Sequence, residues 1–229
     1  KTRSFFQKVR DGEEIWVNKW LQEDDESVKG VVVFHHGLCE HSMRYESLAT
    51  TLSENGYVVQ GYDMRGHGRT AVNDLEKGSG MFGKLAEHNG FDIVVDDLNE
   101  MIDNVKNDYP DKEITLLAHS FGSFVGQAFI EEYGTKINKC LLMGTSGPNP
   151  IAGIGCFITK FIMFFKGKNK SSKFLYNLAF GSYNKKIENP KSKNAWLTKD
   201  EFGVQLYEME EWCNFDLTTS FYKDMTQGL

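Results

Sequence analysis

Hydrophobic positions along residues 30–145 follow two alternating patterns. Continuous apolar runs, such as residues 31–34, are typical of strands that are buried on both faces of a parallel sheet. Between such runs, apolar residues recur at helical spacing, most regularly over residues 91–106. The alternation predicts an α/β fold with a mostly parallel sheet, helices on both faces and right-handed crossovers.

Turn and capping residues add boundaries to these elements. The predicted strands are residues 4–10, 14–21, 31–34, 57–62, 113–118 and 140–144. The predicted helices are residues 45–55, 91–106, 121–133 and 197–212. Asp11-Gly12 is a strong turn dipeptide, so the first two strands should form a hairpin. The helix at 197–212 should open at Thr198, which begins a segment of capping-box form. The stretch after the strand at 57–62 is rich in glycine and is assigned to a loop.

The alternation ends at residue 145. Residues 151–193 contain nine lysines and a single glutamate, together with eight Phe and Tyr residues. This composition favours helices that lie over the core rather than more sheet. We therefore divide the chain into a core (1–146), a helical lid (147–213) and a segment that returns to the core (214–229).

Composition excludes several classes of protein. The 26 basic and 32 acidic residues give a net charge of −6, which disfavours binding to nucleic acid phosphates. The four cysteines form no Cys-x-x-Cys pair, so free thiols and a cytoplasmic location are expected. We expect no metal or organic cofactor, because the chain has no zinc-ligand spacing or cofactor motif.

The longest apolar run, residues 151–158, is far shorter than the ~20 residues of a membrane span. The N-terminus has no signal-peptide pattern, although it begins with Lys1 rather than Met.

The segment Ala118-His119-Ser120-Phe121-Gly122 joins a predicted strand to a predicted helix. This is the context of the nucleophile-elbow motif G-x-S-x-G, in which a strained turn raises the serine hydroxyl above the sheet. The neighbours must be small because strand and helix approach closely; Gly122 fits, and Ala118 is the smallest departure from glycine. The alternative is that Ser120 is only the N-cap of the helix.

Two further segments follow predicted strands, and with the elbow they carry a family resemblance. Residues 35–45 read HHGLCEHSMRY, and residues 63–68 read DMRGHG. Together these motifs resemble the α/β-hydrolase superfamily, and more narrowly its monoacylglycerol lipase and lysophospholipase branch. The resemblance covers residues 4–145 and continues more loosely at 183–187 and 195–201. It implies an α/β-hydrolase fold with a helical lid.

The resemblance also implies roles for individual residues. Ser120 matches the nucleophile, and the backbone N–H groups of Leu38 and Phe121 match the oxyanion-hole donors. We expect both side chains to form pocket walls. In the family, the histidine matching His36 shapes the oxyanion loop, and Glu40-His41 lies in a buried polar network.

The implied substrate is a small-molecule lipid ester, of monoacylglycerol or lysophospholipid type. The basic lid could make transient contact with a membrane or micelle surface. Three alternatives stay open, namely a short-chain carboxylesterase, an amide hydrolase and a non-catalytic ligand-binding member of the fold.

The rest of the catalytic triad is not found in the sequence. In the superfamily the acid and the histidine follow the serine, but all six histidines here lie at or before position 119. We expect the triad Asp and His, with the last two strands, to lie beyond Leu229. The alternative is a short protein that lacks the base.

Overall fold

The computed structural model describes residues 1–22, 28–147, 150 and 152–228. Within them, one sheet contains six strands: β1 (Thr2–Lys8), β2 (Glu14–Trp20), β3 (Gly30–His35), β4 (Tyr57–Tyr62), β5 (Ile114–His119) and β6 (Lys139–Met143). Their order is β1-β2-β4-β3-β5-β6. Strands β4, β3, β5 and β6 run parallel, whereas β2 is antiparallel to β1 and β4. The predicted hairpin and the mostly parallel sheet are confirmed.

Eight α-helices lie in the described ranges. They are α1 (Glu46–Glu54), α2 (Gly68–Glu76), α3 (Gly90–Asp108), α4 (Phe121–Tyr133), α5 (Ala152–Lys166), α6 (Lys173–Phe180), α7 (Glu201–Met209) and α8 (Thr219–Met225). Short 3₁₀ turns occur at Ser42–Tyr45, Gly134–Lys136, Tyr183–Lys186 and Ala195–Leu197. None of these helices combines the length and the apolar content that a bilayer span requires.

The position of β3 in the centre of the sheet explains why its sequence is continuously apolar. All six of its residues are buried. Val31 and Val33 pack in the large core cluster that includes α3 and α4. Val32 and Phe34 pack on the opposite face, in a cluster that includes Ala49 of α1. Each face of the strand therefore has its own helical cover, as the pattern predicted.

Helix α2 was assigned to a loop in the sequence analysis, and this assignment is wrong. The helix follows Gly66-His67 and buries only Gly68, Thr70 and Ala71. Gly68 has no side chain, and Thr70 carries a hydroxyl group, so the hydrophobic periodicity that normally indicates a helix is weak.

The predicted helix at 197–212 is shorter than expected. Residues 195–197 form a separate 3₁₀ turn, and α7 covers only Glu201–Met209. Its N-cap is Asp200, which accepts a hydrogen bond from the Phe202 N–H, rather than Thr198. Thr198 instead accepts from the Asp200 N–H in the preceding turn.

Helices α5, α6 and α7 follow β6 without an intervening strand in the described ranges, as a helical lid requires. Helix α8 then packs against both α5 and α3. Its residue Phe221 is fully buried in the main core cluster. The chain thus passes from the lid back to the core, although the boundaries at 147 and 213 stay predictions.

Candidate active site

Ser120 lies at the turn between β5 and α4. Its backbone has φ +53° and ψ −120°, in the left-handed half of the conformational map that non-glycine residues rarely adopt. The turn is held by the Ser120 N–H, which donates to the Met143 carbonyl at 2.8 Å, and by the Ser123 N–H, which donates to the Ser120 carbonyl at 2.8 Å. The Ser120 side chain makes no capping hydrogen bond to α4. The hydroxyl is therefore not used as an N-cap.

The small residues around Ser120 are required by close backbone packing. A Cβ atom on Gly122 would lie 2.6 Å from the carbonyl oxygens of both His35 and His36. On the other side of the turn, Ala118 is fully buried, and a Cβ on Gly126 would lie 3.0 Å from the Ala118 Cβ. Strand β5, the end of β3 and helix α4 therefore meet with no room for larger side chains, as the motif predicted.

The two candidate oxyanion donors lie on either side of Ser120. Phe121 is the first residue of α4, where a backbone N–H has no acceptor within the helix. Leu38 lies in the loop after β3, and neither N–H donates to any acceptor in the described residues. Gly37, just before Leu38, is so close to the elbow that its Cβ would lie 3.1 Å from the Ser120 Cβ. The loop and the helix start thus present free N–H groups near one serine.

The side chain of Phe121 corrects an expectation from the sequence. Leu38 lines a cavity beside Ser120, as expected. The Phe121 ring instead points into the core, where it packs against the rings of Phe91 and Phe221 at centroid distances of 6.1 and 5.1 Å. The Phe121 side chain is thus not part of the cavity wall, and only its backbone N–H is a candidate for the site.

The cavity beside Ser120 has a volume of about 510 Å³. Leu38, His119 and Ser120 line it from the core, and Tyr176, Phe180 and Trp196 line it from the lid. A larger groove of about 740 Å³ lies between α5 and α6 and contains none of the candidate site residues. The smaller cavity is the better candidate site because it contains the strained serine and a free N–H donor.

Three histidines near the site are buried and held in their neutral form. Burial lowers the pKa of His35 to about 3 and the pKa of His36 and His67 to about 4. His36 Nε2 accepts from the Met64 N–H at 3.0 Å, so its Nδ1 donates to the Gly37 carbonyl at 2.7 Å. His67 Nδ1 lies 3.0 Å from the Arg65 carbonyl. These contacts support loops, as expected for His36.

In the expected polar network Glu40 is hydrogen-bonded, whereas the nearest carboxylate to His41 Nε2 is Glu210, at 3.7 Å. The ring nitrogens of His41 are buried and have no hydrogen-bond partner in the described residues. Glu40 Oε1, in contrast, accepts from the Gly37 N–H at 2.6 Å and from the Tyr45 hydroxyl at 2.9 Å. His119 Nδ1 lies 2.7 Å from the Tyr45 hydroxyl and 3.3 Å from Glu40 Oε1. The sequence analysis missed this link between Tyr45 and His119, although both residues lie in the motifs it identified.

The DMRGHG segment ties the loops beneath the site together. Asp63 accepts from the Ser42 N–H and from the Arg69 N–H, at 2.8 and 2.7 Å. Arg65 forms ion pairs with Asp97 of α3 and with Asp11 of the hairpin turn, each at 2.7 Å. These side chains are therefore engaged in holding the loops and the hairpin together.

No histidine ring in the described residues is hydrogen-bonded to the Ser120 hydroxyl. His36 and His67 are held by backbone groups, and His119 turns its Nδ1 toward Tyr45. In the part of the chain that the structure describes, the geometry therefore offers a candidate nucleophile and two candidate oxyanion donors, but no histidine bonded to that serine.

Comparison with known proteins agrees with this geometry. The family model described as "Serine aminopeptidase, S33" (Hydrolase_4) matches residues 26–229. The chain belongs to this family. It is 29% identical over 133 residues to a monoacylglycerol lipase of Mycolicibacterium smegmatis, a match that covers 58% of this chain and 43% of that protein. It is 27% identical over 133 residues to the monoglyceride lipase of Mus musculus, covering 58% of this chain and 40% of that protein.

The chain is also similar to a solved structure, that of a thermostable carboxyl esterase from Bacillus coagulans. The TM-score is 0.87 at 22% identity, and the match covers 99% of this chain and 72% of that one. The family member described here therefore has the α/β-hydrolase fold. The matches to the two curated lipases span about two fifths of those proteins' length.

Proposed function

We propose that this protein is a serine hydrolase that cleaves carboxylic esters with an apolar acyl chain, through an acyl-enzyme on Ser120. One observation carries the proposal, namely the strained, uncapped Ser120 beside Leu38 and Phe121, whose N–H groups have no acceptor among the described residues. Main-chain donors on fixed elements are preorganised for the oxyanion of a tetrahedral intermediate.

In the proposed reaction, Ser120 Oγ attacks the ester carbonyl and forms a bond to its carbon. The carbonyl oxygen becomes an oxyanion, which the Leu38 and Phe121 N–H groups stabilise. Collapse of the intermediate breaks the ester bond, and the proton taken from Ser120 passes to the leaving oxygen, so that the alcohol is released and the acyl group stays on Ser120. Water then hydrolyses the acyl-enzyme and releases the acid.

This mechanism needs a general base for the serine proton. None of the histidine rings in the described residues is hydrogen-bonded to the Ser120 hydroxyl, and superfamily order places the base after the serine. The proposal assigns this role, with that of the supporting acid, to an Asp and a His beyond Leu229. It follows that the test belongs on the complete reading frame.

The substrate class is supported by the relatives and by the cavity. Two relatives are named as lipases of monoacylglycerol or monoglyceride. The cavity of about 510 Å³ is within the size range of small-molecule sites, and aromatic residues of the lid line one side of it. We therefore propose a lipid ester of monoacylglycerol or lysophospholipid type.

Contact with a lipid surface is a further part of the proposal. Phe157, Phe161, Phe164 and Phe165 of α5 are between 60% and 82% exposed, an unusually apolar surface for one helix. Exposed lysines at 166, 170 and 173 flank it, while Lys168 is paired with Glu87. An amphipathic surface of this kind suits transient binding to anionic lipid.

The test of the catalytic proposal is covalent labelling with a fluorophosphonate, combined with hydrolysis of a panel of esters and amides. Ser120→Ala should abolish both labelling and ester turnover. The matched control is Ser47→Ala, which alters an exposed serine on α1 and should change neither. Appreciable ester turnover by Ser120→Ala would falsify the assignment, and turnover of amides alone would replace the proposed substrate class.

A further inference from the structure

The carboxylate of Glu40 links two segments that are far apart in the sequence. Its Oε1 accepts from the backbone N–H of Gly37, in the loop after β3, at 2.6 Å. The same oxygen lies 3.3 Å from Nδ1 of His119, the residue just before Ser120. The Tyr45 hydroxyl bridges the two side chains, 2.9 Å from Glu40 Oε1 and 2.7 Å from His119 Nδ1.

Gly37 shows independently how closely these groups pack. A Cβ at that position would lie 2.8 Å from Glu40 Oε1, 3.1 Å from the Ser120 Cβ and 3.3 Å from His119 Nδ1. The loop backbone therefore packs closely against both the carboxylate and the elbow. A movement of Glu40 would then displace Gly37, and with it the adjacent Leu38 N–H.

The carboxylate is fixed as well as central. Only 12% of the Glu40 side chain is exposed, and its second oxygen, Oε2, lies 3.4 Å from Arg44 Nε. Burial alone would oppose ionisation, but the hydrogen bonds from His119 and Gly37 and the nearby imidazole rings lower the pKa of Glu40 to about 2. Glu40 is therefore an anion throughout the neutral range and makes charge-assisted hydrogen bonds.

The geometry points to Glu40 as a positioning residue that sets the spacing between the two oxyanion N–H donors. Gly37 precedes the first donor, Leu38, and His119 stands two residues before the second, Phe121. By holding Gly37 and His119 on one oxygen, Glu40, which also lines the cavity, fixes one donor relative to the other. The inference rests on the proposed function of Ser120.

The positioning role predicts a selective effect on tetrahedral ligands. An alkyl boronic acid forms a tetrahedral adduct with the serine and places an oxygen between the two donors, whereas a neutral fatty alcohol fills only the cavity. In the full-length protein, Glu40→Ala should weaken boronate binding by about 10-fold or more and change alcohol binding by less than about 3-fold.

Three further variants sharpen the test. Glu40→Gln keeps an oxygen that can accept the Gly37 N–H, so it should restore most of the boronate affinity lost in Glu40→Ala. Tyr45→Phe removes only the bridging hydroxyl, keeps the ring that stacks on Phe34, and should give a smaller selective loss. The matched control is Glu100→Ala, which removes a carboxylate that accepts the Arg10 N–H far from the cavity and should leave boronate affinity unchanged.

A spectroscopic readout does not depend on catalysis. The short bond to a carboxylate should move the Gly37 amide proton far downfield in wild type and slow its exchange with solvent. Both signatures should disappear in Glu40→Ala and persist in Glu100→Ala. If Glu40→Ala is too unstable to study, Glu40→Gln should move the Gly37 proton part of the way back upfield, because a neutral amide oxygen is a weaker acceptor than a carboxylate. Tyr45→Phe should still give its smaller selective loss of boronate affinity.

The outcomes separate this inference from the proposed function. Equal boronate affinity in wild type and Glu40→Ala, or equal losses for boronate and alcohol, would overturn the positioning role. An ordinary Gly37 amide shift in wild type would do the same. If Ser120→Ala binds boronate as tightly as wild type, the proposed nucleophile is wrong, and the Gly37 signature alone then decides whether Glu40 holds the loop.

Discussion

The ring of Phe121 lies 5.1 Å from the ring of Phe221, centroid to centroid, in the buried core. Phe121 starts the helix after the elbow, whereas Phe221 belongs to α8, a hundred residues later. The contact means that the segment returning from the lid supports the backbone of a candidate oxyanion donor.

Truncation of either ring should therefore reduce stability rather than change the cavity wall. We expect Phe121→Ala and Phe221→Ala each to lower the free energy of unfolding by about 3–5 kcal/mol, because each leaves a cavity in the core. Chemical denaturation measures this loss. The control is Leu38→Ala, which alters a partly exposed cavity residue and should cost far less. A Phe121→Ala variant as stable as wild type would show that the core does not depend on this contact.

The Leu38 N–H can be tested by removing it without removing the loop. Proline has no backbone N–H, so Leu38→Pro should lower ester turnover by about 10²–10³, the typical loss of one oxyanion donor. Leu38→Ala keeps the N–H and should alter acyl-chain preference more than turnover of a short activated ester. Steady-state kinetics on both variants makes the comparison. Full activity in a folded Leu38→Pro variant would show that this N–H is not a donor.

Gly122 and Gly153 provide a matched pair of helical glycines. A Cβ on Gly122 would lie 2.6 Å from two carbonyl oxygens, whereas a Cβ on Gly153 would meet nothing within 4 Å. Gly122→Ala should therefore displace the elbow, reducing both stability and labelling of Ser120. Gly153→Ala should raise stability by roughly 0.5–1 kcal/mol, since alanine is the better helix former. Thermal unfolding of the two variants measures the contrast. The prediction is wrong if the melting temperatures of both variants shift in the same direction.

The buried histidines predict acid sensitivity in a defined pH window. The pKa of His36 and His67 is about 4 in the folded protein, chiefly because of burial, and about 6.5 in the unfolded chain. As pH falls from about 7 toward 4, the unfolded chain binds protons that the folded rings do not. The free energy of unfolding is therefore highest above about pH 6.5. It falls as the pH approaches 4, by up to about 3 kcal/mol per ring.

Denaturation curves at pH 7, 6 and 5 cover this window; burial also raises the pKa of Asp97 to about 6 and of Asp74 to about 7, so the effect of the rings is measured as the difference between wild type and a histidine variant. His67→Gln should flatten the dependence on pH. His88→Gln, at an exposed position, is the control and should not. Parallel curves for wild type and His67→Gln would rule out the proposed cause.

Much of the core could be predicted from the sequence because the physical signals are local. Residues 31–34 form a strand covered on both faces, and this alone makes the run continuously apolar. The turn at Ser120 could also be predicted from the sequence. Gly122 and Ala118 are small, and small residues are what the close packing of strand and helix requires.

The features that the sequence could not give depend on contacts between distant segments. The direction of the Phe121 ring is set by α8, and the link from Glu40 to His119 joins positions 79 residues apart. Helix α2 was missed for a different reason, because its buried side is made of small residues with little apolar surface.

The exposed face of α5 gives the last prediction. Phe157 and Phe164 are 72% and 82% exposed, and the lysines at 166, 170 and 173 lie on or just beyond the same helix. If this surface meets anionic lipid, each lysine near the membrane contributes up to about 1 kcal/mol, and salt weakens the attraction. Replacing the three lysines with Gln should then reduce sedimentation with anionic vesicles, and replacing both phenylalanines with Ser should reduce it further.

The control replaces three exposed lysines on other surfaces, Lys8, Lys29 and Lys106, with Gln, so that the net charge changes equally. On anionic vesicles, only the lid variants should bind less than wild type. An effect of net charge alone would reduce the binding of the lid lysine variant and of the control variant equally. If both triple variants sediment like wild type, the lysines do not hold the protein on the membrane. If wild type itself stays in solution, the lid only covers the cavity, and the proposed role of Ser120 is unaffected because it rests on the elbow.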